Sequence, residues 1–271
     1  MPPEELVRLT RRRVGARPSL SLGDGPSGPP ALPLGRAHEL CGPARMILAA
    51  MIAGRAEAAG AGGPVLWIRP AHAEGRLNPD GLAAFFDPGR LVLARPQREA
   101  DVLWLAEEAL RSGVVPVVIA ELAAPSSLTR VRRLHLAAEA GSEAMRAVGG
   151  APLALLLSAG TGGAQGVETR WALTSAPGGM SGDGGRLRPR WRLELLRARL
   201  APPRSWRVRW RGRALAAEAA EAVGPGSGPV GGPVGGPVSR PGDLGRTQEK
   251  VVQDGAVAGP GSHPVRDAAS L

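Results

Sequence analysis

RAHELCGPARMILAAMIAG, residues 36–54, is the stretch that decides the fold. Its first six residues predict a short strand that ends at Gly42-Pro43. An Ala-rich amphipathic helix is expected from about 44 to 59, closed by Gly60. A strand that passes through a tight glycine turn directly into a helix is typical of an α/β domain, and the N-terminus of such a helix is where a phosphate group can bind.

Downstream of this unit, apolar strands alternate with helices. The apolar runs predict strands at 65–68, 91–94, 114–122 and 151–158, and helical spacing predicts helices at 99–112 and 127–140. Pro116 weakens the first pairings of strand 114–122 because proline cannot donate to a sheet. Continuous apolar runs are typical of parallel strands that helices cover on both faces. We therefore expect a mostly parallel sheet flanked by helices.

After residue 165 the pattern changes to strands alone. The segments TRWALTSA, WRLELLRAR and SWRVRWRGRAL follow one another with no helical pattern between them. They predict an antiparallel extension at the C-terminal edge of the sheet.

Length and composition predict one medium domain with two tails. The chain has 271 residues, and its 39 glycines and 27 prolines are concentrated in 15–35 and 223–264. Such segments bury too little apolar surface to offset chain entropy. We expect a disordered N-terminal arm at 1–34, an α/β domain at 35–220 and a disordered Gly/Pro-rich tail at 221–271.

The sequence favours a cytoplasmic protein without membrane contact. The longest apolar run, residues 46–53, is far shorter than the roughly 20 residues that span a bilayer. The N-terminal arginines are not followed by the apolar region of a secretory signal. A single cysteine, Cys41, excludes an internal disulfide and a cysteine-rich metal site, and the four histidines show no ligand spacing. Cys41 is expected to be a small buried residue.

The turn Gly42-Pro43-Ala44-Arg45 is a degenerate phosphate loop. A working loop, G-x-x-x-x-G-K-[ST], needs glycine, lysine and serine or threonine at the three positions after Met46, where this chain has Ile47-Leu48-Ala49. The lysine normally bonds the β and γ phosphates and the hydroxyl holds Mg²⁺. The one lysine of the chain, Lys250, lies in the tail. We therefore expect no ATP hydrolysis, no bound cofactor or metal, and no enzyme.

Most of the positive charge lies in one segment. Residues 180–213 hold eleven arginines and two acidic residues, a net charge of +9 out of the chain's +10. Tryptophan or leucine alternates there with arginine, which predicts a buried tryptophan side and an exposed arginine side of two neighbouring strands. We call the exposed side the basic stripe; its residues are Arg190, Arg192, Arg207, Arg209 and Arg211. It is a candidate surface for DNA phosphates or for an acidic protein partner, and the alternative is an ordinary solvated face.

The order of motifs resembles one known family. ALRSGVVPVVIAEL, residues 109–122, is similar to the passage in RecA recombinases where an Arg-Ser-Gly cap precedes the strand with the Mg²⁺-linked acidic residue, and Glu121 holds that Walker-B-like position. Three further features are His38-Glu39 before a glycine without a phosphate loop, RRLHLAAEAG at 132–141, and Thr169-Arg170-Trp171. Together, over about 35–215, they resemble the ImuA family, RecA-like accessory proteins of damage-induced mutagenesis.

The resemblance implies a partner-binding role. It implies a RecA-like domain that serves as a non-catalytic adaptor of SOS-induced, error-prone translesion DNA synthesis. The implied partners are an ImuB-like relative of the Y-family polymerases and an error-prone DNA polymerase, with RecA and DNA as further candidates. The strand at 151–158 lacks the glutamine that senses the γ-phosphate in RecA, and Thr161-Gly162-Gly163 is either a short relative of RecA's DNA-binding loop or a plain glycine turn.

Two other functions stay open on the sequence alone. One is a RecA-like regulator that binds RecA or DNA, modulates filament assembly and binds nucleotide weakly. The other is an ATPase with unfamiliar loop chemistry, in which Glu121 would be essential for turnover.

Overall fold

The computed structural model describes residues 18–23, 31–146, 150–180, 187–199 and 201–221. They lie within one compact unit, Met1–Ser227. The strands are β1 Ser19–Leu20, β2 Leu32–Pro33, β3 Arg36–Cys41, β4 Val65–Ile68, β5 Leu91–Ala94, β6 Val117–Glu121, β7 Leu153–Leu157, β8 Thr169–Met180, β9 Leu187–Ala198, β10 Arg204–Arg211 and β11 Ala214–Glu221. The helices are α1 Arg45–Ala58, α2 Pro79–Ala83, α3 Glu99–Ser112 and α4 Leu128–Ala144, with a 3₁₀ turn at Pro88–Arg90.

Nine strands form one large sheet in the order β11-β10-β9-β8-β3-β7-β6-β4-β5. The strands from β8 to β5 are parallel to one another, and β9, β10 and β11 run antiparallel at the other end. The prediction of a mostly parallel sheet with antiparallel C-terminal strands is confirmed. One detail differs: β8, the first of the strands after residue 165, pairs in parallel with β3.

Two apolar layers lie on opposite faces of this sheet. One contains α1 and strand residues such as Leu40, Trp67 and Trp171. The other contains α3 and α4, packed on residues such as Ala37, Val118 and Leu156. Neighbouring strand residues thus alternate between the two layers, as the geometry of a pleated strand requires. The alternation explains why the central strands are apolar throughout.

The helices begin and end close to the predicted residues. α3 spans the predicted range, and Gly113 ends it with a φ of 65°, the left-handed conformation that favours glycine. α4 runs to Ala144, beyond the predicted end at 140, because Ala137, Ala138 and Gly141 continue its buried side. Among the described residues, no helix is both long and apolar enough to cross a membrane.

The C-terminal segment SWRVRWRGRAL is two strands, not the single strand that the sequence suggested. Gly212 adopts a φ of 64° between β10 and β11, and the two strands pair antiparallel around it. Glycine tolerates this conformation because it has no Cβ, so the chain reverses there.

Part of the arm placed at 1–34 is ordered. β1 and β2 pair with each other, and Leu20, Leu22 and Leu32 are buried in the α1 layer. Burial of three leucines, each contributing about 1.5–3 kcal/mol, offsets the entropy of ordering these short segments. The rest of that arm and the tail from residue 222 lie outside the described residues.

Candidate functional site

The turn that would hold a phosphate is packed against a neighbouring strand. The Gly42 amide donates to the Gly160 carbonyl at 2.9 Å, and the Ala44 amide donates to the Leu173 carbonyl of β8 at 3.1 Å. Gly42 has a φ of 81°, and a Cβ there would lie 2.9 Å from the Leu173 oxygen. A backbone carbonyl therefore binds the amide of Ala44, the N-cap residue of α1, at the end of the helix where a phosphate can bind.

The side chains at the three template positions of this turn are apolar. Ile47, Leu48 and Ala49 stand where a working loop has glycine, lysine and a hydroxyl residue. Ile47 is half-buried, and Leu48 and Ala49 are fully buried. Pro43 is exposed, and Ala44 is buried with no side-chain cap for the helix. Arg45 is half-buried and its Nη1 donates to the Gly42 carbonyl at 3.3 Å. The amides of Gly42, Ala44 and Arg45 thus all bond to carbonyls of the protein.

Glu121, the Walker-B-like residue, is engaged at the end of β6. Its Oε1 accepts a hydrogen bond from Trp67 Nε1 at 2.8 Å. Its Oε2 lies 3.5 Å from Arg69 Nε. Both partners come from β4 or from the residue after it. The carboxylate therefore joins the ends of two neighbouring strands.

Glu39 is the most tightly held ionisable side chain near the turn. It is fully buried, and its carboxylate accepts hydrogen bonds from the amides of Gly163 at 2.9 Å and Ala164 at 3.0 Å. Arg170 Nε forms an ion pair with it at 2.5 Å, and Arg170 Nη2 donates to the Ala164 carbonyl. The sequence had identified Glu39 and Arg170 only as parts of the family pattern, because their pairing spans 131 positions.

This carboxylate fixes the glycine loop of residues 160–166. Gly162 has a φ of 74°, and a Cβ there would lie 2.8 Å from the Glu39 carboxyl carbon. The loop therefore lies directly on Glu39, which favours the plain glycine turn over a free DNA-binding loop for Thr161-Gly162-Gly163.

His38 occupies the opposite face of β3 in a fully satisfied chain of hydrogen bonds. Trp171 Nε1 donates to Thr169 Oγ1 at 2.7 Å, and that hydroxyl lies 2.7 Å from His38 Nδ1. His38 Nε2 lies 2.9 Å from the Pro33 carbonyl, to which it donates. Burial lowers the pKa of His38 to about 4, so the ring is neutral at pH 7. The residue is structural and ties β2 to the large sheet.

His135 and Cys41 also have hydrogen-bond partners in the fold. The Ala37 amide donates to His135 Nδ1 at 3.3 Å. His135 Nε2 lies 3.0 Å from the Gly166 carbonyl oxygen. Burial raises the pKa of the Cys41 thiol to about 11, and the thiol donates to the Trp171 carbonyl at 3.2 Å. Within the described ranges there is no cluster of three His, Cys, Asp or Glu residues that could hold a metal ion.

The basic stripe has the predicted two-sided arrangement. Trp191, Leu193 and Leu195 of β9 and Trp206 of β10 pack in the α1 layer, and Trp206 lies 6.0 Å from Trp171 between ring centroids. On the other side, Arg207 is directly opposite Arg192 across the β9–β10 pair. Arg207 and Arg211 are exposed, whereas Arg190, Arg192 and Arg209 are half-buried.

The α3 and α4 layer, as far as the chain is described, contains no residue of β8 to β11. Glu194 shares the arginine side and lies 3.4 Å from Arg192. The structure thus places the five arginines on one side of neighbouring strands, while the role of that side stays a prediction.

Comparison with known proteins points to one family. Protein ImuA from two strains of Caulobacter vibrioides is 35% identical to this chain over 159 residues, which are 54% of the chain. The chain covers 59% of the length of these curated relatives. No family model matches the sequence.

A solved structure is also similar in part. The crystal structure of SulA from Pseudomonas aeruginosa is 23% identical in sequence to this chain. The alignment covers 46% of this chain and 98% of the SulA chain, at a TM-score of 0.37.

The resemblance to the ImuA family that the sequence indicated is confirmed by the match of 159 residues to Protein ImuA.

Proposed function

We propose that this chain is a non-catalytic accessory protein of damage-induced mutagenesis, built on a RecA-like domain. It acts in SOS-induced, error-prone translesion DNA synthesis by binding an ImuB-like relative of the Y-family polymerases and an error-prone DNA polymerase. The similarity to Protein ImuA supports the process. The observation that carries the non-catalytic role is the hydrogen bond from the Ala44 amide to the Leu173 carbonyl, at the place where a phosphate would bind.

Nucleotide hydrolysis would require changes that the fold opposes. A lysine at position 48 would bury an ammonium group in the apolar layer around α1, because Leu48 has no exposed surface. A phosphate would have to displace the Leu173 carbonyl and leave it without a partner. Glu121 is already held by Trp67 and Arg69. These contacts favour a domain whose former ligand site has become part of its core.

The basic stripe is the surface we assign to partner or DNA contact. Exposed arginines pair with phosphates and carboxylates in a planar, bidentate geometry, and side-by-side strands present them as a row. The tryptophans of the same strands lie in the core, so contact through the stripe is electrostatic and not by base stacking. Binding there should weaken as salt concentration rises.

Two measurements on the purified full chain test the non-catalytic role. We expect neither release of phosphate from ATP nor binding of a fluorescent ATP analogue, with or without DNA. Turnover that Glu121→Gln abolishes would overturn the proposal in favour of an ATPase.

Co-purification from damaged cells tests the partners. We expect a Y-family polymerase relative to be recovered with the wild-type chain and with an Arg76→Glu control, whose arginine is exposed and away from the stripe. The triple variant Arg207→Glu, Arg209→Glu, Arg211→Glu should recover less. Recovery of RecA alone, with altered filament assembly, would instead support the regulator hypothesis.

A further inference from the structure

A groove of about 550 Å³ lies beside α4, next to the C-terminal end of β9. One wall is a stripe of α4 that includes Leu128, Arg132 and Leu136, spaced four residues apart on one side of the helix. The other wall consists of the loop 166–168 and the end of β9, where Arg197 is in the strand and Arg199 lies just beyond it. From Leu128 to Glu139 the helix rises about 16 Å, which matches about five residues of extended chain.

The groove has an excess of positive charge. Its two carboxylates, Glu139 and Glu168, both face Arg36, at 2.6 Å and 3.8 Å. Arg132, Arg197 and Arg199 are exposed, and they form no ion pair with a carboxylate in the part of the chain that the structure describes. The three exposed arginines therefore give the groove a net positive charge, because its two carboxylates already face Arg36.

The groove also exposes large apolar side chains. Leu136 is 66% exposed and Leu128 is 39% exposed, both on the wall that carries Arg132. Exposed leucines set among arginines are suited to a ligand that has both apolar and acidic groups.

We propose that this groove binds an acidic peptide segment of a protein partner, about five residues long, with one large apolar side chain between carboxylates. The carboxylates would pair with Arg132, Arg197 and Arg199, and the apolar side chain would cover Leu136. A nucleic acid fits less well. The groove's exposed apolar side chains are leucines, and its described lining has no Phe, Tyr or Trp on which a base could stack.

Peptide selection on the full chain tests the proposal. A phage-displayed library of random heptapeptides is panned against the immobilised chain, and the most enriched peptide is measured by fluorescence anisotropy. The double variant Arg132→Glu, Arg197→Glu removes the groove's charge. The double variant Arg130→Glu, Arg204→Glu is the control, because it changes the net charge equally at two exposed arginines outside the groove.

We expect enriched peptides to combine acidic residues with one large apolar residue. Their affinity should fall about tenfold or more in the groove variant, severalfold in Leu136→Ser, and less than twofold in the control. Equal losses in both double variants, or enrichment without acidic residues, would overturn the proposal. So would a labelled 20-nucleotide single strand that binds the wild type and loses affinity only in the groove variant. Peptide binding in vitro does not depend on mutagenesis, so failure of this inference leaves the proposed function standing.

Discussion

Removal of the Arg170 guanidinium should strongly destabilise the domain. Arg170→Leu leaves the fully buried Glu39 carboxylate with only the amides of Gly163 and Ala164 as donors. Breaking a buried ion pair by deleting one partner costs about 3–5 kcal/mol, because an uncompensated charge stays in the interior. For a domain of this size each kcal/mol lowers Tm by about 2–4 °C. We therefore expect a fall in Tm of about 6–20 °C.

A double-mutant cycle separates the interaction energy between Glu39 and Arg170 from the contribution of their other contacts. Glu39→Leu and Arg170→Leu are made singly and together, and the free energy of unfolding is measured by urea titration with tryptophan fluorescence. The double variant carries no unpaired charge, so it should be more stable than the sum of the single losses predicts, by about 2 kcal/mol or more. Arg130→Leu, at an exposed position, is the matched control and should change the free energy by about 0.5 kcal/mol or less.

Additivity of the two single losses to within about 0.5 kcal/mol would refute this reasoning, since it would mean that Glu39 and Arg170 do not interact. Hydrogen exchange gives a local check. Amides of residues 160–166 should lose protection in Arg170→Leu, because Glu39 and Arg170 hold that loop.

Three further predictions concern the same region. The pKa of His38 is about 4 in the fold against 6.5 in the unfolded chain, so the unfolded chain binds the extra proton. Stability should be full above about pH 6.5 and fall by about 3 kcal/mol towards pH 4, and a His38→Asn variant should lose this dependence in urea titrations at several pH values. Cys41, with a pKa raised to about 11, should react with a thiol reagent at pH 8 only after urea unfolds the chain; fast reaction of the native protein would contradict its burial. Gly42→Ala places a Cβ 2.9 Å from the Leu173 carbonyl at a φ of 81°, so its free energy of unfolding should fall by about 1–3 kcal/mol or more. Gly60→Ala, at a similar φ of 87° but with nothing within 4 Å of its Cβ, should cost less.

The strands and helices of the parallel sheet were predictable because each has a local signal. β4 and β7 are short apolar runs between turn residues, and α3 combines helical spacing with the Gly113 cap. The alternation of tryptophan with arginine in β10 predicted which side packs in the core, and the burial pattern confirms it.

The features that the sequence could not reveal depend on distant contacts. Glu39 and Arg170 meet only because β3 and β8 become neighbours in the sheet. Leu20 and Leu32 lie in a region rich in glycine and proline, where composition indicated disorder, yet each packs against the α1 layer. The groove beside α4 likewise requires Arg132 and Arg197 to come together from a helix and a strand far apart in sequence.

Damage-induced mutation frequency tests the central claim most directly. The gene is deleted in its own host, and drug-resistant mutants are counted after ultraviolet irradiation in cells complemented with the wild-type chain or with Glu121→Gln. We predict that deletion abolishes the induced increase and that both chains restore it, because the function is partner binding without hydrolysis. An induced frequency unchanged by deletion, or restored by the wild type but not by Glu121→Gln at equal protein level, would contradict the account.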